Sequence, residues 1–392
     1  MAIIWRKITC PFCFKRFGAS EAIFRCINPR CKKETDGVFN SERGVSAAPK
    51  GHIFAPKSKW GMLEVIIAAT SAACDLCGQE SKKRLCPHCH CELSHDAGMI
   101  SDHTIAVIGA RATGKGHYIA TLIHRLENEL GAQFRFSLRM LGDETRERFE
   151  TVYRTPLLRK KELLQQTPSA VVDSRIKSPM VFRLTLNHGW QAVNLSFFDS
   201  AGEDMQSLDV LSSEARYISA AAGIIFLLDP LQIDAVRQQL SSTIVLPMRD
   251  YQAEPVYIVE RLRELFERQR GLRATTKIKT PVAFVLSKID TLLPIIDPGS
   301  SLRSTGEHFG YFNLTDAKSV HTEIQNYLDS WMGGGFSNRA ETDFARYQYF
   351  GVSSLGRMPT QQGRIESVSP IRVEDPFLWL LYTLNLIKGR RA

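Results

Sequence analysis

The residues Gly109–Gly116, which read GARATGKG, form a pattern that can hold phosphate groups. The backbone N–H groups of such a loop converge on anionic oxygens at the start of a helix, and the lysine neutralises the outer phosphates. The pattern usually ends in Ser or Thr, whose hydroxyl binds magnesium, but Gly116 stands there instead. We expect phosphate binding to survive, with water in the vacated magnesium position. The residues expected at the phosphates are Gly109, Ala110, Ala112, Thr113, Gly114, Lys115, Gly116 and His117.

A second candidate segment, DSAG, follows the apolar run 193–198. Asp199 at the tip of a buried strand suits a magnesium ion, bound directly or through water. Gly202 would let a backbone N–H approach a terminal phosphate closely. We therefore expect Asp199 and Gly202 to complete the phosphate and metal site.

Two more segments carry groups that suit a guanine base. After the run 282–286, the carboxylate of Asp290 can accept hydrogen bonds from guanine N1–H and from the 2-amino group, which adenine lacks. Lys288 can lay its methylene groups over the base, and Ser287 replaces a more usual Asn. After the run 347–352, the backbone of Ser353, Ser354 and Leu355 is expected to reach guanine O6.

The catalytic assignments remain open at this stage. Glu203 follows DSAG, where a glutamine often orients the attacking water, and Glu203 is our candidate for a related role. Arg111, inside the loop, is a candidate arginine finger, with Arg154 and Arg159 as rivals. Thr167 is our choice for the threonine that would sense magnesium and the terminal phosphate, with Thr155 as the alternative.

All nine cysteines lie between Cys10 and Cys91. Eight fall into pairs that suit tetrahedral zinc, enough for two structural Cys₄ sites. The members are Cys10 and Cys13, Cys26 and Cys31, Cys74 and Cys77, Cys86 and Cys89. The spacing C-x₂-C-x₈-C-x₂-C over 74–89 favours one ribbon there and a second from the first two pairs, although an interleaved arrangement that joins 10/13 with 74/77 stays open. Cys91, His88 and His90 are left over.

The elements that must position these groups alternate along the chain. Strands are predicted at 104–108, 181–186, 193–198, 223–228, 282–286 and 347–352, with helices after the loop and near 206–221, 256–270, 315–331 and 376–388. The turn NHGW makes 181–186 and 193–198 an antiparallel hairpin. The pattern predicts a three-layer α/β sandwich with a mostly parallel sheet over 101–392, behind a zinc-ribbon head over 1–100. Such sheets bind ligands at the carboxyl ends of their strands.

GARATGKG, DSAG, SKID and SSLG resemble, in order, the G1, G3, G4 and G5 boxes of the translation-factor and Ras-like class of P-loop GTPases. The sequence GKGHYIA, the cysteine-rich head and the closing RVEDPFLWLL at 372–381 are more closely similar to the bacterial double-GTPase families of GTPase-based conflict systems. The resemblance implies GTP and GDP as ligands, magnesium as cofactor, protein partners, and a switch that works in a defence or regulatory operon.

The composition and charge of the chain limit the functions that it can have. The net charge is +9, and residues 1–100 hold 15 Lys and Arg against 9 Asp and Glu. Two zinc-thiolate sites would remove about 4 of those charges, which favours a structural head over a nucleic-acid surface. We see neither a signal-peptide pattern nor a membrane-spanning run, so we expect a cytoplasmic protein. The functions that stay open are a GTP-hydrolysing switch, a guanine-nucleotide-binding scaffold without turnover, and a nucleic-acid-binding protein regulated by nucleotide; an ATPase would leave Asp290 unused.

Overall fold

Seven strands form the central sheet in this computed structural model, which describes residues 7–43, 49–56, 69–165, 179–186, 191–199, 211–250, 254–360 and 364–391, with backbone alone at 198, 199 and 211–214. The strands are β1 (Ser101–Gly109), β2 (Ser137–Met140), β3 (Met180–Leu186), β4 (Gln191–Asp199), β5 (Gly223–Leu228), β6 (Val282–Leu286) and β7 (Tyr347–Gly351). Their spatial order is β7-β6-β5-β1-β4-β3-β2. Of these seven, β3 runs antiparallel to both of its neighbours and the others run one way, which confirms the predicted sheet and its hairpin.

Helices cover both faces of this sheet. They are α1 (Lys115–Arg125), α2 (Asp143–Arg148), α3 (Leu211–Ala220), α4 (Asp234–Leu240), α5 (Pro255–Arg270), α6 (Leu314–Met332), α7 (Gly335–Asp343) and α8 (Asp375–Thr383). Wider π-helical turns extend α1 over Leu126–Leu130 into the short helix Gly131–Phe134, and extend α2 over Phe149–Arg159. Short 3₁₀ turns lie at Pro230–Gln232, Ile289–Leu292 and Ser301–Arg303, and Phe312–Asn313 pairs with Gly389–Arg390.

The sheet is apolar on both sides because successive strand residues point to opposite faces. Ala106 and Ile108 of β1 belong to a core shared with α3 to α7. Ile105 and Val107 belong to a second core, shared with α1, the α2 extension and α8. Every residue of β5 and β6 is buried. Two cores on opposite faces make the three-layer sandwich that the alternating pattern predicts.

Within its described residues, the cysteine-rich head contains short antiparallel strands and the helix Gly37–Arg43. Ile23–Arg25 pairs with both Ile53–Phe54 and Arg84–Leu85. The other pairs are Lys7–Thr9 with Arg16–Gly18 and Ala72–Ala73 with Glu80–Ser81, and a 3₁₀ turn covers Ala19–Glu21. Because Ile23–Arg25 and Arg84–Leu85 are antiparallel, the two halves of the head fold back on each other.

Among the described residues, the contacts of the head with the sandwich include a buried aromatic side chain and two ion pairs. Phe14 is buried in the core of α3 to α7, where its ring lies 5.3 Å from that of Tyr217 on α3, centroid to centroid. The hydroxyl of Tyr217 in turn donates to Ile105 O of β1 at 2.8 Å. Arg43 pairs with Glu144, and Asp96 with Arg183. The head therefore contacts the helix that follows residues 201–210.

None of the described helices combines the length and the apolar character that are required to cross a lipid bilayer.

Candidate nucleotide site and metal centres

The carboxyl ends of the five parallel strands meet along one edge of the sheet. Gly109 lies opposite Leu227, Leu228 opposite Leu286, and Leu286 opposite Gly351. The backbone of Asp199 lies opposite Val107 of β1. The segments after these ends include all four motifs that the sequence analysis selected. The structure thus brings the loop 109–116, the backbone of Asp199 and the segments that begin at Ser287 and Ser353 to one edge, where ligands bind in open α/β sheets.

The loop 109–116 has the conformation of an anion-binding nest. Ala112 and Gly114 both have positive φ, 60° and 92°, and α1 begins at Lys115 directly afterwards. A side chain at Gly109 would place its Cβ 2.7 Å from Leu227 O and 2.8 Å from Thr113 Oγ1, so this position needs glycine. Alternating left- and right-handed residues turn successive N–H groups toward one point. The geometry suits a phosphate at the N-terminus of α1.

The ammonium group of Lys115 lies within this loop. It is buried and donates to Gly109 O at 2.9 Å and to Ala110 O at 3.0 Å. The hydroxyl of Thr113 donates to Ala110 O at 2.9 Å. This hydrogen bond engages the one hydroxyl of the loop that could replace the Ser or Thr side chain missing at Gly116. Arg111 is exposed at the loop tip.

The two candidate base-recognition segments contact each other. Burial raises the pKa of Asp290 above its ordinary value. A hydrogen bond from Ser353 and the charge of Lys288 act in the opposite direction but only partly offset the effect of burial. Ser353 is buried, and its hydroxyl accepts the N–H of Gly356 at 2.8 Å. Leu355 packs on the second core, and Ser354 is partly exposed. The carboxylate of Asp290 therefore lies next to the loop that is expected to reach guanine O6.

Ser287 and Lys288 make contacts that the sequence did not indicate. Both the N–H and the hydroxyl of Ser287 donate to Leu228 O, at 2.8 and 2.9 Å, so its hydroxyl braces the end of β5. Lys288 has φ 53° and pairs with Asp229 at 2.6 Å. Asp229 is buried and also accepts the N–H of Leu231. An acidic residue directly after the buried strand β5 was the signal that could have identified it.

His117 connects α1 to the segment that leads toward residue 166. Its Nε2 accepts the N–H of Leu164 at 3.2 Å, which requires an unprotonated nitrogen. Burial, with a smaller contribution from the nearby charge of Lys288, lowers the pKa of His117 to about 4. The ring is thus neutral at pH 7.

Several catalytic candidates lie outside the described residues: Thr167, Gly202 and Glu203, together with the side chain of Asp199. The rival arginines, Arg154 and Arg159, lie on the helical extension Phe149–Arg159. Arg154 pairs with Glu127 and Glu150, and Arg159 also pairs with Glu150. Pro156 lies inside this stretch, and the wide π-helical turns accommodate it, which the sequence pattern did not reveal.

Two groups of four cysteines can each hold a metal ion: Cys10, Cys13, Cys86 and Cys89, and Cys26, Cys31, Cys74 and Cys77. Sulfur–sulfur distances across the pairs are 3.6 and 3.8 Å in the first group and 3.6 and 3.9 Å in the second. Four sulfurs at the usual distance from a tetrahedral zinc ion lie about 3.8 Å apart. The donor sets therefore fit zinc, and all four positions are filled by sulfur, as in structural sites.

Three of the four cysteine pairs each lie on a backbone turn of the same type. The first cysteine accepts the N–H of the fourth residue after it, which is Phe14, Gly78 or His90, and each of these has positive φ. The N–H two residues after Cys10, and likewise after Cys86, points at the cysteine sulfur at 3.4 Å. Such N–H donors orient and stabilise a metal-bound thiolate.

The grouping of these pairs corrects both arrangements that the sequence analysis weighed. The outer pairs 10/13 and 86/89 share one site and the inner pairs 26/31 and 74/77 share the other, so the sites are nested. The physical reason is the antiparallel pairing of Ile23–Arg25 with Arg84–Leu85, which folds the two halves of the head together. Spacing over 74–89 alone could not reveal this long-range pairing.

These features define a P-loop α/β sandwich behind a cysteine-rich head. Comparison with known proteins narrows the class. The family model Double-GTPase 2 matches residues 103–367, so the chain belongs to this family. The chain is also 30% identical over 317 residues to a protein of Mycolicibacterium smegmatis described as "Putative ESX-1 scaffolding and assembly protein SaeC", with 76% of this chain and 78% of that protein covered.

Proposed function

We propose that the protein is a GTP-binding and GTP-hydrolysing switch whose zinc-bound head serves as an interaction module. The observation that carries this proposal is the shared sheet edge, which holds the loop of Lys115, the Asp290–Ser353 pair and the end of the strand that carries Asp199. Membership of the Double-GTPase 2 family supports guanine as the base. The proposed domains are 1–100 and 101–392, in a cytoplasmic protein whose thiols stay reduced.

Lys115 would carry the first step, which is binding of the phosphates. In the structure its ammonium donates to two carbonyl oxygens of the loop, and an entering phosphate would offer stronger, anionic acceptors at the same place. Asp290 would select guanine by accepting its N1–H and 2-amino hydrogens. Ser354 and Leu355 would offer backbone N–H groups to O6.

Asp199 is the proposed magnesium ligand, with water in the position that Gly116 leaves open. Magnesium, when bound, neutralises charge on the outer phosphates. Glu203 is the proposed group that orients the attacking water, Arg111 the arginine that stabilises charge on the terminal phosphate, and Thr167 the residue that senses it. Release of phosphate would then relax the segments that contain Thr167 and Glu203.

The head would transmit this change to partner proteins. Phe14 packs against Tyr217 on α3, and α3 directly follows the segment with Gly202 and Glu203. Zinc, held by eight cysteines, would hold the head in a fixed shape. The name of the mycobacterial relative, a scaffolding and assembly protein, supports protein partners rather than nucleic acid.

A guanine-nucleotide-binding scaffold without turnover is the second candidate, and Gly116 favours it because one magnesium ligand is missing. The test is release of phosphate from GTP with magnesium, together with binding of a fluorescent GTP analogue. The switch predicts both binding and turnover, and Lys115→Ala should abolish both, while the exposed control Lys318→Ala should change neither. Binding with no detectable turnover would establish the scaffold, and no binding would refute both.

A further inference from the structure

The loop expected at guanine O6 is paired along its length with a second segment, Ser369–Arg372, which we name the strap. Ser353 N–H donates to Ile371 O at 3.0 Å, and Ile371 N–H returns a bond to Ser353 O at 2.8 Å. Ser369 N–H donates to Leu355 O at 3.0 Å. Three backbone hydrogen bonds therefore fix the loop to the strap.

Gly356 shows how closely the strap approaches. Its φ is +79°, and a Cβ added there would lie 1.9 Å from Ser369 O, a distance that no neighbour could accommodate without moving the backbone. The N–H of Gly356 is used by the hydroxyl of Ser353. Among the hydrogen bonds of the described residues, none uses the N–H of Ser354 or Leu355. The strap thus leaves these two donors available to an acceptor on a ligand.

The strap is anchored by Arg372, whose guanidinium group is fully buried. It donates from Nε to Ser301 O and Ser304 O at 3.1 and 2.8 Å. It also binds both oxygens of Asp316 and one of Asp375, at 2.7 to 2.8 Å. Burial lowers the pKa of Arg372, but the carboxylates of Asp316 and Asp375 outweigh this and raise it above its ordinary value. All three nitrogens of the guanidinium therefore donate to acceptors that other segments hold in place.

The backbone of Arg372 is strained, with φ at +51°. Residues other than glycine rarely adopt this conformation, and such strain persists only where the surroundings impose it. Ser301 and Ser304, which hold the guanidinium, belong to the stretch that continues from Asp290. The strap end of the same residue holds the loop of Ser353. One arginine therefore connects the strap to the stretch that continues from Asp290.

We propose that Arg372 is a positioning residue for base recognition, which holds Asp290 and the free N–H groups of Ser354 and Leu355 at the spacing that guanine requires. This inference rests on the proposed function, since it assumes that these groups bind the base. Arg372 is also the first residue of the RVEDPFLWLL motif. Arg372 would act on selectivity for the base and leave the phosphate loop unchanged.

The test measures dissociation constants of GDP, ADP and inorganic pyrophosphate for the full chain and for Arg372→Lys. Lysine keeps the charge but cannot make the forked bonds to Asp316. We expect GDP to bind roughly 10-fold more weakly, with pyrophosphate and ADP changed less than about 2-fold, so that the preference for GDP over ADP falls. Equal weakening of GDP and pyrophosphate, or an unchanged GDP to ADP ratio, would overturn the proposal.

A second variant keeps the test decisive if Arg372→Lys does not fold. Gly356→Ala forces the loop and strap apart through the contact with Ser369 O. Its matched control is Gly333→Ala, which also has positive φ (+73°) but meets nothing within 4 Å of the added Cβ. We expect the GDP to ADP ratio to fall in Gly356→Ala alone, and an equal ratio in the two variants contradicts the proposal. A parent protein that shows no preference for GDP over ADP would instead refute the proposed function itself.

Discussion

Replacement of Phe14 tests whether the head is built into the core of the sandwich. Phe14 is 7% exposed and adopts φ 61°, a conformation that disfavours every residue with a Cβ. Truncation of a buried Phe to Ala costs about 3–5 kcal/mol of unfolding free energy. Phe14→Ala keeps the strained Cβ, whereas Phe14→Gly also removes it and regains about 1–2 kcal/mol. We therefore predict that the glycine variant is more stable than the alanine variant, the reverse of the usual order.

The assay is urea unfolding of the zinc-saturated protein followed by intrinsic fluorescence. Gly78→Ala is the matched control, because Gly78 has the same role in its own turn, with φ 70° and nothing within 4 Å of an added Cβ. It should lose about 1–2 kcal/mol from backbone strain alone. An alanine variant at position 14 within 1 kcal/mol of the parent would show that the ring is not in the core. A glycine variant less stable than alanine would refute the strain argument.

Three further predictions concern the metal, the histidine and the cysteines. Gly116→Ser restores a hydroxyl at the magnesium position and should lower the magnesium concentration needed for half-maximal phosphate release; an unchanged magnesium titration would contradict this. The pKa of His117 is near 4 in the folded protein and near 6.5 in the unfolded chain. Between these pH values the unfolded chain therefore binds one more proton than the folded protein. The contribution of His117 to stability is complete above pH 6.5 and is lost as the pH falls to 4. The loss should be about 2–3 kcal/mol after a discount for partial exposure, and His117→Gln, measured by thermal unfolding against pH, should lack it; the same pH profile in both proteins would refute the assignment. The double variant Cys13→Ser with Cys86→Ser should retain one zinc per chain in a colorimetric zinc assay, because both residues belong to one nested site, whereas consecutive pairing predicts none.

The strands nearest the site were predictable because they are buried on both faces. Residues 223–228 and 282–286 are continuous apolar runs, and the structure has strands with those bounds. The edge strand Ser137–Met140 was missed, since it is half-exposed and Arg139 interrupts its apolar pattern. Period and hydrophobicity report burial, so they find central strands and overlook edges.

Long-range pairings were beyond the reach of sequence spacing. The eight metal-binding cysteines were identified by type and spacing, yet their nested grouping depends on the pairing of Ile23–Arg25 with Arg84–Leu85. The strap is a similar case, because no motif or spacing indicates that Ile371 pairs with Ser353. The contact of Lys288 with Asp229 likewise joins two segments 59 residues apart.

Base selectivity in the unmodified protein is the property on which the account depends. Isothermal titration with GTP and with ATP, at equal magnesium, measures it directly. We predict that GTP binds at least about 100-fold more tightly than ATP, because guanine alone can donate two charge-assisted hydrogen bonds to Asp290. Equal affinities, or tighter binding of ATP, would contradict the assignment of this sheet edge as a guanine-nucleotide site.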